Sequence, residues 1–291
     1  MPRIALVTCR PGPETAEDRD LPGLVRALRE AGAEASAEVW DDGDVDWSGF
    51  DLAVIRSTWD YSWRAAEFTA WAERCGALTR LANPADVVRW NTDKRYLADL
   101  AGAGVPVVET RYIAAGDPLD LPDGHEYVVK PASGAGARFA ARYTPDEHDT
   151  AVRHLRRMHA DGLTAMVQPY VRGIDTAGER ALQYFGGTLL HASRKGAVLA
   201  PGTPYDRRKV AHPGLSDWTP TPEETAVAGK ALAAVPGAPE LLYARVDLVD
   251  GEDGLPRVME LELVEPNLFL WLHPGSVPRV VDGILRAAAA R

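Results

Sequence analysis

The residues best suited to chemistry lie near the C-terminal end, in Met259-Glu260-Leu261-Glu262-Leu263. Side chains alternate along a strand, so Glu260 and Glu262 share one face, and Met259, Leu261 and Leu263 share the other. Upstream, Asp250-Gly251-Glu252-Asp253-Gly254 reads as a hairpin turn between strands at 241–249 and 257–264. If Asp250 pairs with Leu255, Asp247 falls opposite Val258 and diagonal to Glu260, within reach of it. Like charges 4 Å apart repel by roughly 4 kcal/mol at an effective dielectric of about 20. Asp247, Glu260 and Glu262 crowded into one patch therefore need cations among them, or must splay into water as the solvated face of an edge hairpin. Hard oxygen ligands suit Mg²⁺, which keeps waters and takes substrate phosphates.

The second chemical feature is Tyr127-Val-Val-Lys130-Pro131-Ala-Ser133-Gly134-Ala-Gly136. A lysine at a strand end is a point charge with one aim. The small residues after it can turn backbone N–H groups toward an anion; a surface lysine before a tight hairpin is the plainer alternative. Lys94, in Asn91-Thr-Asp-Lys94, is a weaker candidate, early in a helix that runs from 91 to 103. Arg194-Lys195 and Arg207-Arg208-Lys209 supply the positive charge a phosphate centre needs. Arg56, Ser57, Thr58 and Tyr61 follow an apolar strand, where open α/β sheets place ligands, and Arg56 suits a substrate carboxylate. Trp59, Trp63 and Trp90 fit core or rim positions better than substrate platforms, and His154 and His159 fit a solvated helix face. The GxxxxGK[ST], HExxH and GxSxG motifs do not occur, and Ser133-Gly-Ala-Gly-Ala lacks the third glycine of GxGxxG.

The elements that must carry these groups are legible in outline. Short apolar runs at 3–9 and 51–56 alternate with helical spacing at 21–31 and 63–74, which predicts a parallel α/β domain over residues 1–90. Strands at 126–130, 138–143 and 165–168, with a helix from 144 to about 158, predict a central lobe over 91–175. Gly186-Gly187 marks a hairpin between 181–185 and 189–193, followed by helices at 222–234 and 276–290, which predicts a C-terminal lobe over 176–291.

A chain of 291 residues with 46% hydrophobic and 25% charged residues is globular in composition. The balance of 32 basic against 42 acidic side chains leaves a net charge of −10, a poor basis for gripping nucleic acid. The only two cysteines, Cys9 and Cys75, form no framework, and no apolar run is long enough for a membrane helix or signal segment. The expectation is a cytoplasmic protein with a small-molecule partner, no nucleic acid and no membrane, and a possible homo-oligomer.

The order of these motifs resembles the ATP-grasp superfamily: Lys94, Val-Val-Lys130-Pro, a small-residue loop, Val167-Gln168-Pro-Tyr170-Val171, Gly178-Glu179-Arg180, Asp247 and Glu260-Leu-Glu262 with Pro266 four residues on. Arg56-Ser-Thr-Trp-Asp-Tyr61, Trp90-Asn-Thr-Asp-Lys94 and Glu260-Leu-Glu-Leu-Val-Glu-Pro266 look closest to the branch around prokaryotic glutathione synthetase, and closer still to a bacterial group that includes D-cycloserine synthetase. The resemblance implies an α/β chain with an ATP-grasp fold: a parallel N-terminal domain, then two α+β lobes clasping ATP. It implies an ADP-forming carboxylate–amine ligase that works through an acyl phosphate.

Residue by residue, Lys94 and Lys130 would contact phosphates, with Ser133, Gly134 and Gly136 in the cradle. Gln168, Tyr170 and Val171 would meet the adenine edge. Asp175 or Glu179 would hold the ribose, and Asp247, Glu260 and Glu262 two Mg²⁺ ions. Arg194, with Lys195 beside it, would face the transferring phosphoryl group. The family usually has Asn where Glu262 stands, so this site carries an extra charge. The narrowest implication is cyclisation of O-ureido-D-serine. The alternatives are an intermolecular ligase joining a carboxylate to an amino acid or peptide, and a nucleotide-binding protein without catalysis.

Overall fold

The computed structural model describes residues 1–12, 17–206 and 214–290. The first part is an open sheet of β1 (Arg3–Thr8), β2 (Glu34–Val39), β3 (Leu52–Ser57) and β4 (Leu81–Ala82), in the order β2-β1-β3-β4 and parallel throughout. Helices α1 (Leu21–Glu30) and α2 (Ala65–Leu78) connect its strands. A 3₁₀ turn at Trp59–Trp63 follows the C-terminal end of β3. Phe68 and Trp71 of α2 are buried and stack on each other, as their spacing predicts.

Of the helix expected over 91–103, only α4 (Tyr96–Gly102) forms; a separate short helix, α3 (Ala85–Asn91), which the sequence reading did not contain, precedes it. The break at 92–95 has visible causes. The Asp93 side chain accepts the Arg95 N–H at 2.9 Å, forming a local turn. The Lys94 N–H donates to the carbonyl of Ala132 at 2.8 Å instead of to an upstream helical carbonyl. Lys94 thus sits between helices, its stem turned inward.

The central lobe is an antiparallel sheet of β5 (Arg111–Ile113), β6 (Tyr127–Pro131), β7 (Ala141–Tyr143) and β8 (Ala165–Pro169), in the order β5-β8-β6-β7, backed by α5 (His148–Ala160). His154 of α5 is buried, against expectation: it hydrogen-bonds the Tyr143 hydroxyl at 3.0 Å and stacks on Tyr205. Burial holds its imidazole down at about 4, so it is neutral at physiological pH.

After the short α6 (Ile174–Ala177), the C-terminal lobe is an antiparallel sheet of β9 (Glu179–Phe185), β10 (Thr188–Lys195), β11 (Ser216–Trp218), β12 (Tyr243–Asp250) and β13 (Pro256–Glu262), in the order β11-β10-β9-β12-β13. Helix α7 (Pro222–Ala233) starts with a capping box: the Glu224 N–H donates to Thr221 Oγ1, and Glu224 Oε2 accepts from the Thr221 N–H. Helix α8 (Val277–Ala289) closes the chain.

The cores do not divide where the sequence divides. One core joins Ile4, Leu6, Leu24 and Leu28 of the N-terminal domain to Phe185, Tyr243, Leu268 and Ile284 of the C-terminal lobe. A second packs Tyr96, Leu97 and Leu100 of α4 against α7, β12 and β13, although the sequence assigned 91–105 to the central lobe. The central lobe keeps a core of its own, from Ile113 to Val167. The free thiols of Cys9 and Cys75 are buried, and among the described residues no helix is long and apolar enough to cross a membrane.

Candidate active site

The hairpin of β12 and β13 forms as expected, with one change in register. Asp250 pairs with Pro256 and Leu248 with Val258, but Asp247 pairs directly with Glu260, so Met259 is the extra residue of a bulge. The expected diagonal placement of Asp247, opposite Val258, is therefore corrected to a direct pair. The bulge also overturns the expected face of Met259. Val258 and Leu261 stay in the core, while Met259 and Glu260 both turn to the cleft.

The strand is braced from behind by Asn91, whose side chain donates to the Leu261 carbonyl at 2.9 Å and accepts from the Leu263 N–H at 2.7 Å. Asn83 donates its side-chain amide to the carbonyls of Tyr243 at 2.9 Å and Leu263 at 2.8 Å.

The consequence is a convergence of acids. Asp247, Glu260 and Glu262 each offer a carboxylate oxygen within 4.8 Å of the others. Interleaved cations meet that charge. Lys195 Nζ lies 2.7 Å from Asp247 and also pairs with Glu179. Arg245 grips Asp247 through two nitrogens at 2.8 Å each and reaches Glu262. Lys94 Nζ lies 3.1 Å from Glu260 and donates to the Gly134 carbonyl at 2.5 Å.

The titration behaviour follows this geometry. Burial works against ionising Asp247, but Arg245 and Lys195 outweigh it and hold its pKa far below the ordinary value. Burial, with Glu260 and Asp247 nearby, pushes Glu262 up to about 8 despite Arg245. Burial lowers the Lys130 pKa, with Lys94 and Lys195 adding repulsion. This set fits a hard divalent cation: three convergent carboxylates, each now paired with an ammonium or guanidinium group that a metal can displace.

These groups floor a cleft of about 170 Å³ between the central and C-terminal lobes. Lys130, Gly134, Gly136, Gln168, Tyr170, Val171, Glu179 and Lys195 line it, as the sequence reading requires. Other expected site residues lie elsewhere. Arg194 is one residue out of phase with Lys195 on β10 and donates to the carbonyls of Ala177 and Thr176 at 2.7 Å each. Ser133 is tied to the Thr92 carbonyl at 3.0 Å, fastening the loop rather than facing the cleft. Asp175 accepts from the Tyr170 hydroxyl at 2.5 Å and pairs with Arg142 outside the lining.

Arg56, Ser57, Thr58 and Tyr61 do not line the cleft either. Arg56 is buried and donates to the Pro266 carbonyl at 3.3 Å; Ser57 bonds Thr8 at 2.8 Å; Thr58 is buried; Tyr61 packs on Phe68. Trp59, read from sequence as core or rim, lines the cleft in their place. Arg207-Arg208-Lys209 lies outside the described residues.

Several lining residues were missed, Arg245 and Asn267 among them. Arg245 shares the face of Asp247 by the same two-residue alternation that singled out Glu260 and Glu262, so its signal was available. Asn267 also lines the cleft. It belongs to a segment held from several sides: Asp20 accepts from the N–H groups of Leu270 and Trp271, Arg56 donates to Pro266, and His191 bonds the Leu268 carbonyl. Those contacts are tertiary and have no local signature.

Comparison with known proteins agrees with this geometry. A family profile described as the D-cycloserine synthetase DcsG N-terminal domain matches residues 4–83. The cycloserine biosynthesis protein DcsG of Streptomyces lavendulae is 41% identical over 94% of this chain and 93% of that protein. The crystal structure of D-cycloserine synthetase DcsG superposes with a TM-score of 0.86 at 37% identity, covering 98% of this chain and 99% of that one. At 16% identity, the D-alanine–D-alanine ligase of Bacillus anthracis complexed with ATP gives a TM-score of 0.69 over 99% of this chain and 97% of that one. The ATP-grasp ligase PsnB, complexed with a precursor peptide and AMPPNP, gives 0.63 at 17% identity over 99% and 98%. The fold is the ATP-grasp fold.

Proposed function

The chain belongs to the D-cycloserine synthetase family of ATP-grasp ligases, and on that premise we propose that it closes O-ureido-D-serine to D-cycloserine at the expense of ATP. The observation that carries this reading is the single cleft in which Asp247, Glu260 and Glu262 converge beside Lys94, Lys130, Lys195 and Arg245. No side-chain nucleophile is required, because the substrate carboxylate attacks the γ-phosphorus itself.

In this reading ATP enters between β6 and β8 on one side and β12 and β13 on the other. Gln168, Tyr170 and Val171 meet the adenine edge, and Glu179 is the carboxylate in the cleft that can reach the ribose. Lys94 and Lys130 offset phosphate charge, with backbone groups of Gly134 and Gly136 alongside. Asp247, Glu260 and Glu262 would hold Mg²⁺, two ions in this reading. Bound there, Mg²⁺ supplies electrostatic stabilisation of the phosphate oxygens.

Lys195 and Arg245, rather than Arg194, stand where charge develops as the acyl phosphate forms and as the tetrahedral carbon collapses. Trp59 and Asn267 wall the side on which the amino-acid substrate would lie. The ureido-bearing nitrogen of the same molecule then takes the acyl carbon, and phosphate leaves; one water adds to the ureido carbon, the bond from that carbon to the ring nitrogen breaks with a proton going to the nitrogen, and CO₂ and ammonia are released. The role of this chain's residues is orientation and exclusion of water.

The test is to supply purified protein with O-ureido-D-serine, ATP and Mg²⁺ and to measure ADP and D-cycloserine together. The expected result is stoichiometric release of both with no second amine present. ADP release that begins only when a separate amine substrate is added overturns the cyclisation.

A further inference from the structure

The Gly-rich loop between β6 and β7 crosses from the central lobe toward the N-terminal domain, and one contact ends that crossing. The Arg138 guanidinium lies 4.4 Å from the ring centroid of Trp63, while stacking at 4.6 Å on its own neighbour Phe139. Trp63 ends the 3₁₀ turn whose first residue, Trp59, lines the cleft together with Arg138. One turn of the N-terminal domain thus provides both a wall of the cleft and the seat of its lid.

The loop backbone does not take this path by default. Ala137 and Phe139 have φ of 56° and 57°, a region disfavoured for residues with a Cβ. Phe139 is secured at its base: its N–H donates to the Asp206 carbonyl at 2.8 Å, and its ring lies 5.2 Å from that of Tyr205. The tip is secured on the far side through Arg138 on Trp63.

We propose that Trp63 is a positioning residue that latches the 132–140 loop over the cleft through Arg138, and that the latch keeps water from the acyl phosphate. The second half rests on the function proposed above; the first does not. With the latch open, water replaces the nitrogen nucleophile. Its oxygen bonds to the acyl carbon, the carbon–oxygen bond to phosphate breaks, and phosphate, a proton and the original carboxylate are released. ATP is then consumed without ring closure.

Trp63→Ala and Trp63→Phe separate the two halves. Trypsin cuts after Arg138, so the rate of cleavage there reports how often the loop leaves its seat, whatever the substrate. Trp63→Ala should raise that rate roughly fivefold, the scale of a partly exposed cation–π contact, and Trp63→Phe should fall between it and the native protein. In the coupled assay the ratio of ADP to D-cycloserine should rise in the same order.

Unchanged cleavage in Trp63→Ala overturns the latch. Faster cleavage with an unchanged ratio overturns its role in excluding water. If the native protein makes no D-cycloserine, the proposed reaction fails, and the cleavage rates alone decide the latch. If Trp63→Ala does not fold, Trp63→Phe against the native protein decides it by the same two readings.

Discussion

Replacing Lys195 by methionine tests the charge balance of the site directly. Lys195 Nζ stands between Asp247, at 2.7 Å, and Glu179, and is itself almost fully buried. Methionine keeps the stem and removes the charge, leaving buried Asp247, still gripped by Arg245, facing half-buried Glu179. Removing one partner of a buried pair costs about 3–5 kcal/mol.

The structure also sets a ceiling on the loss, because Glu179 can take a proton instead. Its pKa is already raised from 4.5 by burial and by Asp247, against Lys195. Binding a proton at pH 7 by a group that ordinarily titrates at 4.5 costs ~3.4 kcal/mol, at 1.36 kcal/mol per unit. In the variant, folding then takes up a proton. Its stability must fall as pH rises and recover on acidification, by about 1.4 kcal/mol per unit above 4.5.

Thermal unfolding followed by circular dichroism in EDTA should show a Tm roughly 6–10 °C below native at pH 7, and a gap that narrows at pH 5.5. Mg²⁺ should restore more stability to the variant than it adds to the native protein, since the metal supplies the missing positive charge. A Tm within about 2 °C of native in EDTA at pH 7, or a loss that does not shrink with acid, refutes the reasoning.

Glu262, held at about 8, must shed a proton to bind metal. Mg²⁺ affinity should therefore rise nearly tenfold per unit of pH below 8, and Glu262→Gln should flatten that slope; titration calorimetry in buffers of different ionisation heat measures the proton released. Arg194→Ala should leave kcat within about twofold of native, whereas Arg245→Ala should lower it at least about a hundredfold, as measured by ADP release at saturating substrate. Asn91→Leu removes both side-chain bonds that brace β13 and should cost about 2–4 kcal/mol in urea unfolding with an unchanged m-value.

The three convergent acids were legible in the sequence because strand alternation and a hairpin turn are local rules. Glu260 and Glu262 needed nothing further, and Arg245 obeys the same rule as Asp247. The bulge at Met259 was not legible: no local residue pattern marks it, and the contacts that hold the strand beyond it come from Asn91 and Tyr96 of other elements. The break around Lys94 has a comparable origin, since its N–H is taken by Ala132 of the loop across the cleft. Arg194 and Lys195 differ only in strand phase, and a shift between Leu189 and His191 lies upstream of both. The residues expected to meet substrate, Arg56, Ser57, Thr58 and Tyr61, do lie at the C-terminal end of β3, but Arg56 is spent on Pro266 and the cleft receives Trp59. In the parallel N-terminal sheet, by contrast, continuous apolar runs placed β1 and β3 to within a residue, while β2 carries no such run.

The shared core of the N-terminal domain and C-terminal lobe decides how this chain can be recombined with its relatives. Leu24 and Leu28 of α1 meet Leu268 and Ile284 in one cluster, and Asp20 caps the Leu270 and Trp271 amides from across the boundary. A chimera that exchanges residues 1–90 alone severs that packing, however well the replacement folds by itself. Residues 106–171 enclose a core of their own, and exchanging them leaves that shared cluster whole, provided Ala132 and Met166 keep their packing in the core beneath α4 and α7. The heritable unit is thus discontinuous in sequence, its two halves flanking an insert that can be traded.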